Sequence, residues 1–344
     1  MSDEHVFITG GAGFIGSNSA DHFLRRGQTV TIYDNLSRKG GRSNLEWLHE
    51  RHGGERLRVV EADIRNYDRL TAAVIEAAPG VVLHLAGQVA VTSSVVDPRE
   101  DFDVNALGTF NVLEAVRNYA PQAVLLYAST NKVYGGMEDV GIVRSRQRYA
   151  YADYPYGIPE TFPLDFHSPY GCSKGAGDQY TRDYARIYGL RTLVLRQSCI
   201  YGRRQFGVED QGWVAHFVIA TVLDRPIAIY GDGMQVRDVL HIDDLVNAYQ
   251  AGIDRIDELS GEVLNIGGGP DNTLAIWSEF GPLLEELAGQ QVPVHYGPWR
   301  PGDQRVFVAD IRRADHLLGW VPKISPAEGI RKLYGWVAEN PGLF

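Results

Sequence analysis

The sequence predicts an α/β protein, a doubly wound parallel sheet carrying a smaller mixed α/β lobe. Three observations predict it. The chain opens on a short apolar run, a glycine-rich turn and an amphipathic segment, the strand–turn–helix order that starts such sheets. Short apolar runs then recur with helical patterns between them as far as about residue 196. From Ser198 onward the glycine spacing loosens and the alternation becomes irregular, which marks a second lobe. At about 100–200 residues per domain, 344 residues also suggest two domains. The expected boundaries are 1–197 for the first, with parts of 236–266 packing back on it, and 198–235 with 267–344 for the second.

Val6-Phe7-Ile8-Thr9 is the first strand, and Gly10-Gly11-Ala12-Gly13-Phe14-Ile15-Gly16 is the turn that leads into a helix from Ser17 to Arg26. Glycines there let backbone approach a pyrophosphate, and the N–H groups and dipole of the new helix face its charge, as in a Rossmann-type unit. The second strand, Thr29 to Tyr33, delivers Asp34 eighteen residues after Gly16. A carboxylate there accepts from an adenosine ribose hydroxyl and repels a 2′-phosphate, so NAD is favoured over NADP, although Arg38, Lys39 and Arg42 lie close by. Leu57 to Glu61 is a third strand with Asp63-Ile64 after it, and Val81 to Gly87, which includes Leu85 and Ala86, is a fourth. Their loops lie at the carboxyl ends of parallel strands, where such sheets bind ligands.

Pro98 to Tyr119 reads as one helix, with Val104, Leu107, Gly108, Val112, Leu113 and Val116 at helical spacing and Asn105 interrupting the face. Asn105 is either a satisfied core amide or a support for the segment that follows. A fifth strand, Ala123 to Ala128, ends on Ser129-Thr130-Asn131-Lys132. A helix from near Tyr170 to Tyr188 places Lys174 one turn after Tyr170, and Thr192 to Arg196 is a sixth strand. Between Tyr134 and Pro169 lies a polar, aromatic, proline-rich stretch without regular period, with Arg144, Arg146 and Arg148, expected to be a solvated insertion.

In the second lobe Gln211-Gly212-Trp213 opens a helix to about Leu223, and Pro226 to Tyr230 is a strand ending on Gly231-Asp232-Gly233. Arg237 to His241 precedes a helix that Asp243 and Asp244 are expected to cap. Val263 to Gly267 reads as a strand and Ile276 to Leu287 as a helix.

A formal charge of −10 argues against nucleic acid or an anionic membrane as partner. Two cysteines, Cys172 and Cys199, are too few for a disulfide framework or a metal cluster, so no metal is expected. Met1-Ser2-Asp3-Glu4-His5 reaches the glycine turn without a basic or apolar leader, and no apolar run reaches the ~18 residues of a membrane span. The expectation is a cytoplasmic protein.

With these pieces in order, the chain resembles the extended short-chain dehydrogenases/reductases that act on nucleotide sugars. Thr9 to Gly16, Asn105-Ala106-Leu107-Gly108-Thr109, Tyr170 with Lys174, and Arg300-Pro301-Gly302-Asp303 carry the resemblance, which covers nearly the whole length. Within that superfamily, Ala128 to Gly135, Ser198-Cys199-Ile200-Tyr201-Gly202, Arg204-Gln205-Phe206-Gly207 and Glu209-Asp210-Gln211-Gly212-Trp213 look like the CDP-paratose 2-epimerases, also called CDP-tyvelose 2-epimerases. The resemblance implies a CDP-hexose substrate, bound NAD and a homo-oligomer, dimer or tetramer. Two positions depart from the wider pattern. Cys199 stands where many members carry an Asn, so a phosphate or sugar contact must be made differently, and Arg203 stands where a proline is common.

The resemblance also implies roles. Tyr170 would take the alcohol proton at the carbon that loses hydride, with Thr130 on the same hydroxyl. A free phenol titrates near 10, and the Lys174 ammonium and a nicotinamide cation are expected to lower it by two or three units. Gly10, Gly13, Phe14, Ile15, Gly16, Asp34, Asn35, Ser37, Arg38, Asp63, Ile64, Leu85, Ala86, Gln88, Asn105, Ser129, Tyr170, Lys174 and Ser198 would hold the cofactor. Thr130, Asn131, Cys199, Gln211, Gly212, Trp213, Tyr230, Arg237, Arg300 and Asp303 would hold the substrate, with Arg237 and Arg300 on the diphosphate, Tyr230 under the base and Asp303 on a ribose hydroxyl. Each of those arginines could equally be a surface ion pair.

The implied activity is epimerisation at C2 of a CDP-hexose, paratose to tyvelose or glucose to mannose, through a 2-keto sugar. Relatives that dehydrate nucleotide sugars carry an Asp-Glu pair after the Thr. Here Asn131 and Lys132 stand there, which disfavours 4,6-elimination. A UDP-hexose 4-epimerase stays open, because the trio does not say which carbon reacts, and so does a silent NAD-binding scaffold.

Overall fold

The computed structural model describes residues 5–300 and 303–344, so Met1 to Glu4 of the opening segment, and Pro301 and Gly302 of the segment Arg300 to Asp303, lie outside the described residues. The chain gathers into two compact units. The first comprises Met1–Val133, Phe166–Arg196 and Val246–Leu264, and the second Tyr134–Asp165, Gln197–Leu245 and Asn265–Phe344.

In chain order the elements run β1 Val6–Thr9, α1 Phe14–Arg25, β2 Val30–Asp34, α2 Gly41–His52, β3 Leu57–Glu61, α3 Tyr67–Ala77, β4 Val81–His84, α4 Val91–Val96 and α5 Pro98–Phe102. A π-helical turn at Asp103–Leu107 leads into α6 Gly108–Tyr119 and β5 Val124–Thr130, and a short 3-10 turn covers Asn131–Tyr134. The hairpin β6 Ile142–Arg144 and β7 Tyr149–Tyr151 precedes α7 Ser168–Tyr188 and β8 Arg191–Gln197. Then come β9 Cys199–Tyr201, α8 Trp213–Val222, β10 Ile227–Tyr230, β11 Val236–His241, α9 Ile242–Asp254, α10 Ile256–Leu259, β12 Glu262–Ile266 and β13 Thr273–Ala275. The chain closes with α11 Phe280–Ala288, β14 Val294–Gly297, β15 Val306–Phe307, α12 Arg312–Leu318, α13 Pro326–Glu339 and a last turn.

The central parallel sheet has seven strands in the order β12-β8-β5-β4-β1-β2-β3. Its strands read as near-continuous apolar runs because both faces are covered by helices, which is the signature of a parallel sheet. Phe7, Val82, Leu125 and Val194 are almost wholly buried on one face against Leu70, Val74, Val112 and Val116 from α3 and α6. Each such side chain contributes ~1.5–3 kcal/mol on burial, and this core makes the strand ends a rigid platform.

The helix expected over Pro98–Tyr119 is divided into α5, the π turn and α6, and Asp101 and Asn105, four residues apart and both buried, lie on one side of it.

In the second unit β11 is central, paired antiparallel to β13 and parallel to β15 and β9, while β10 pairs with β14. Its core forms between α8, α11 and α13, through Val218, Phe280, Leu284, Leu333 and Val337. Residues 134–165, expected inside the first domain as a solvated insertion, cluster with this unit and are tied down at several points. Tyr134 donates to Asn265 Oδ1 at 2.7 Å, Ile158 pairs with Ala309, and Arg148 meets Glu279 and Thr273. The lack of regular period in this stretch hid this, because each partner lies more than a hundred residues away in sequence. Asp244 is not a simple cap: its Oδ2 accepts from the backbone N–H of Lys323 and Ile324, while Asp243 faces Arg203.

Candidate functional site

In the first unit the glycine turn is as tight as its sequence asks. Gly10 has φ +70° and sits so close to the next loop that a Cβ would lie 2.7 Å from the Ala86 nitrogen, and a Cβ on Gly16 would run into the Gly10 carbonyl. Gly13 precedes α1, and among the described residues no side chain caps this helix start, so the N–H groups of Phe14, Ile15 and Gly16 form an anion-ready end. Asp34 ends β2 with its carboxylate held by the N–H of Ala12 at 3.0 Å and of Leu36 at 2.8 Å. Burial raises its pKa and those two bonds oppose the rise. Asn35 donates to Asp63 at 2.8 Å and accepts from the Ser37 N–H, and Arg38 is exposed beside them. Arg65 holds Asp63 down to about 2. Ile64 points inward and is buried under Gly108, so only its backbone is left for a ligand.

The loop after β4 is positioned by buried polar groups. Leu85 and Ala86 donate to Thr9, whose hydroxyl meets His84 Nδ1 at 2.7 Å, and His84 Nε2 meets Thr109 at 2.9 Å. Burial, and then the Lys174 charge, push this imidazole down to about 3, so it is neutral. Since Thr9 accepts two N–H groups it donates to Nδ1, which places the ring proton on Nε2. Gln88 N–H donates to Asn105 Oδ1 at 2.9 Å, and Asn105 Nδ2 reaches Ser173 Oγ at 3.3 Å, so Asn105 is both a satisfied core amide and a link to α7.

Thr130, Tyr170 and Lys174 are all buried in this unit, 7–8% exposed. Thr130 lies beside the Tyr170 phenol and works against the rise in its pKa. Thr130 Oγ1 also accepts the Lys132 N–H and lies 3.3 Å from Asn131 Oδ1. Lys174 Nζ donates to the Ala128 carbonyl at 2.6 Å and sits 4.3 Å above the Tyr127 ring. The expected lowering of the phenol is not what the protein's own groups produce. Burial pushes Tyr170 up to about 12, only partly opposed by Thr130, and burial pushes Lys174 down to about 7 against the pull of Asp178 and Asp101. Helical spacing showed the charge one turn away but not the loss of water around both groups. Ser129 directs its side chain away from the trio, to Asp178 at 2.6 Å, and Asp178 forms a buried two-point pair with Arg196.

The second unit holds the other expected residues. Arg237 donates to Asp303 at 2.8 Å, and Gln235 Nε2 bridges the Tyr230 carbonyl and Asp303. Arg300 lies flat over the Tyr230 ring at 3.8 Å and pairs with Glu209 at 2.9 Å and Asp210 at 3.1 Å, while the Tyr230 hydroxyl donates to Glu209. Tyr230, Arg237, Arg300 and Asp303 thus form one cluster, each arginine paired with carboxylates. Gln211 and Gly212 lead into α8, Gly212 with φ +73°, and Trp213 packs edge-on against Phe280 at 5.3 Å. Its indole N–H is buried without a hydrogen-bond partner among the described residues. Cys199 is half-buried opposite Val239, and Ser198 donates to Asp238.

Residues 7–333 match the GDP-mannose 4,6-dehydratase family. The CDP-paratose 2-epimerase of Salmonella typhi is 44% identical over 97% of this chain and 99% of its own. The chain belongs to the GDP-mannose 4,6-dehydratase-like family of extended short-chain dehydrogenases/reductases. The UDP-glucose 4-epimerase of Thermotoga maritima, solved with UDP-glucose, shares this family's fold at a TM-score of 0.84 and 31% identity, over 98% of this chain and 99% of that one. The UDP-glucose 4-epimerase of Thermus thermophilus, solved with NAD, is similar at a TM-score of 0.81 and 32% identity, over 96% of this chain and 98% of that one. In this extended short-chain dehydrogenase/reductase the sequence missed four buried groups around the trio: His84, Asp101, Ser173 and Asp178. Asp178 alone carried a signal, because it lies one turn beyond Lys174 on the same helix face.

Proposed function

We propose that the protein is an NAD-dependent epimerase of a nucleotide-activated hexose, acting at C2 of a CDP-hexose of the paratose or glucose type. The observation that carries the reading is the burial of Thr130, Tyr170 and Lys174 together in one unit, in a site where the two residues after Thr130 are an amide and an amine rather than acids. The choice of C2 and of CDP rests on the 44% identity to a CDP-paratose 2-epimerase over nearly the full length. A UDP-hexose 4-epimerase is the second reading, favoured by relatives such as the Thermotoga enzyme.

The residues fit NAD. The uncapped start of α1 and the close approach at Gly10 and Gly16 suit a pyrophosphate, and the Asp34 carboxylate suits an unphosphorylated ribose. When bound, NAD supplies the reversible hydride acceptor for the sugar C–H and a positive ring that favours phenolate. Tyr170 takes the sugar hydroxyl proton and returns it after the 2-keto sugar has presented its other face. Thr130 orients that hydroxyl, while Lys174 keeps positive charge near the phenol oxygen. Arg237 and Arg300 grip the diphosphate by exchanging carboxylate partners for phosphate oxygens, Tyr230 stacks on the base, and Trp213 donates its unpaired N–H to the sugar nucleotide. The exposed aromatic face of α6 and α7, with Phe110, Tyr180 and Tyr188, supports a homo-oligomer, and the two unpaired cysteines support a cytoplasmic location. Among the described residues no helix is long and apolar enough to cross a membrane.

A panel of CDP-, UDP-, GDP- and dTDP-hexoses with product sugar analysis tests the reading. C2 epimers from CDP-sugars support it. C4 epimers from UDP-sugars would replace it with the second reading.

A further inference from the structure

Asp101 is fully buried on α5, and none of the roles assigned above uses it. Both of its oxygens are committed. Oδ1 accepts from Gln88 Nε2 at 2.9 Å and from Asn105 Nδ2 at 3.1 Å, and Oδ2 accepts from Ser173 Oγ at 2.5 Å. These donors come from the loop after β4, the π-helical turn and α7, so one carboxylate joins three segments that are far apart in sequence. Ser173 stands between Tyr170 and Lys174 on α7. Its single proton has two acceptors in reach, Asp101 and the Tyr170 carbonyl at 3.2 Å, and the carboxylate is the stronger. That leaves a Ser173 lone pair for Asn105 Nδ2, whose two protons serve three acceptors, the Gln88 carbonyl at 3.0 Å, Asp101 Oδ1 at 3.1 Å and Ser173 Oγ at 3.3 Å, so a shared bond closes the ring of Asp101, Ser173 and Asn105. Tyr170 is held a second way, by its N–H donating to Ser94 Oγ at 3.2 Å.

The site asks for an acid. Every group facing the Asp101 oxygens is a donor, so an amide at this position turns its NH2 toward Ser173 Oγ, the Ser173 proton moves to the Tyr170 carbonyl, and the charge-assisted bond that ties Ser173 to α5 is lost. Asp101 and Asn105, four residues apart, lie on the same side of one helical stretch.

We propose that Asp101 is a positioning residue for the reaction, holding the Tyr170–Lys174 turn in register with the Gln88 loop through Ser173. The proposal rests on the epimerase reading for its kinetic consequences and on the hydrogen-bond ring for its structural ones.

The charge of Asp101 also reaches the reactive pair. The groups facing Tyr170 and Lys174 are Asp101 from α5, Asp178 from α7 itself, neutral His84 from β4, Tyr127 from β5, and Arg196 from β8, already paired with Asp178. Asp101→Asn removes one negative charge from that set and leaves the Asp178–Arg196 pair in place. Phenol and ammonium then lose their protons more readily, so the acid limb of kcat/KM moves to lower pH even as the rate falls.

The test uses the full-length, NAD-loaded enzyme with Asp101→Asn, Ser173→Ala and the double variant. The expected result is a kcat lowered roughly 10- to 100-fold in each single variant, with KM for the nucleotide sugar within about threefold. The losses should be less than additive in the double variant, and the acid limb should be displaced only where Asp101 is changed. Amide hydrogen exchange over residues 86–91 and 168–175 should quicken in Asp101→Asn while thermal unfolding stays cooperative. If Asp101→Asn does not fold, Ser173→Ala breaks the same link from the other side and carries the test. Wild-type kcat, an unmoved acid limb and unchanged exchange in Asp101→Asn would overturn the proposal. If the wild type epimerises no nucleotide sugar, the functional reading fails, and the exchange experiment decides the role of Asp101 by itself.

Discussion

Replacing Tyr170 with Phe removes one oxygen and leaves the ring in place. The residue is 7% exposed and the ring keeps its packing, so the structural loss is the polar contact of the phenol with Thr130. Such a contact is worth at most ~1.5 kcal/mol net, which for 344 residues lowers Tm by about 2 °C at most. Loss of a positioned acid–base group costs far more in rate, on the order of 10²–10⁴-fold, or ~3–5 kcal/mol on the barrier. The neighbouring amine, Lys174, is committed to the Ala128 carbonyl at 2.6 Å and does not take the place of the phenol. Three measurements separate the effects: turnover by product sugar analysis, NAD content released on denaturation, and thermal unfolding. The expected outcome is full NAD content, a small Tm change and turnover down by at least ~100-fold. Turnover within about tenfold of wild type would refute the role of Tyr170, and loss of NAD would show that the residue serves cofactor binding instead.

Gly16→Ala should fold with a disturbed turn and purify with little or no NAD, because its Cβ meets the Gly10 carbonyl; normal NAD content would contradict the assigned pyrophosphate site. Arg237→Ala and Arg300→Ala should each raise KM for the nucleotide sugar roughly 10- to 100-fold through loss of a phosphate contact, with NAD content unchanged, and a normal KM would leave Arg237 a buried ion pair with Asp303 and Arg300 a surface one with Glu209 and Asp210. Asp238 is fully buried and its pKa is raised from 3.8 to about 6, chiefly by desolvation. A folded value above the unfolded one means the contribution is fully present below about pH 4 and is lost as pH rises through about 6, up to ~3 kcal/mol in all. The unfolding free energy of wild type relative to Asp238→Asn should therefore decline between about pH 4 and pH 7, and a flat difference would refute the assignment.

Much of the first unit was legible because its signals are local. Val6 to Gly16 contains its own strand, turn and helix start, and Tyr170 and Lys174 meet through one helical turn. The same is true of Asp34, whose backbone donors Ala12 and Leu36 belong to the adjoining turn and strand end. The buried supports were not legible. Ser173 lies 72 residues from Asp101, and Ser129 lies 49 from Asp178, so no periodicity announces either contact. The π turn escaped for a related reason: Val104 to Val116 keeps an apolar repeat that fits a single α-helix, so the turn leaves no mark in the periodicity. The phenol and ammonium were misjudged because spacing reports neighbouring charge, whereas burial depends on the packing of the whole unit. In the second unit, Tyr230, Arg237, Arg300 and Asp303 do come together, but spacing did not show that Glu209 and Asp210 already partner Arg300.

The central claim is that Tyr170, Thr130 and Lys174 support reversible oxidation of the sugar, with the carbon-bound hydrogen never meeting solvent. It is tested most directly by turning over CDP-paratose in deuterated water and reading C2 of the product by mass spectrometry and NMR. The account predicts CDP-tyvelose with no deuterium at C2. Deuterium incorporated at that carbon would contradict it and point to proton abstraction beside a carbonyl instead.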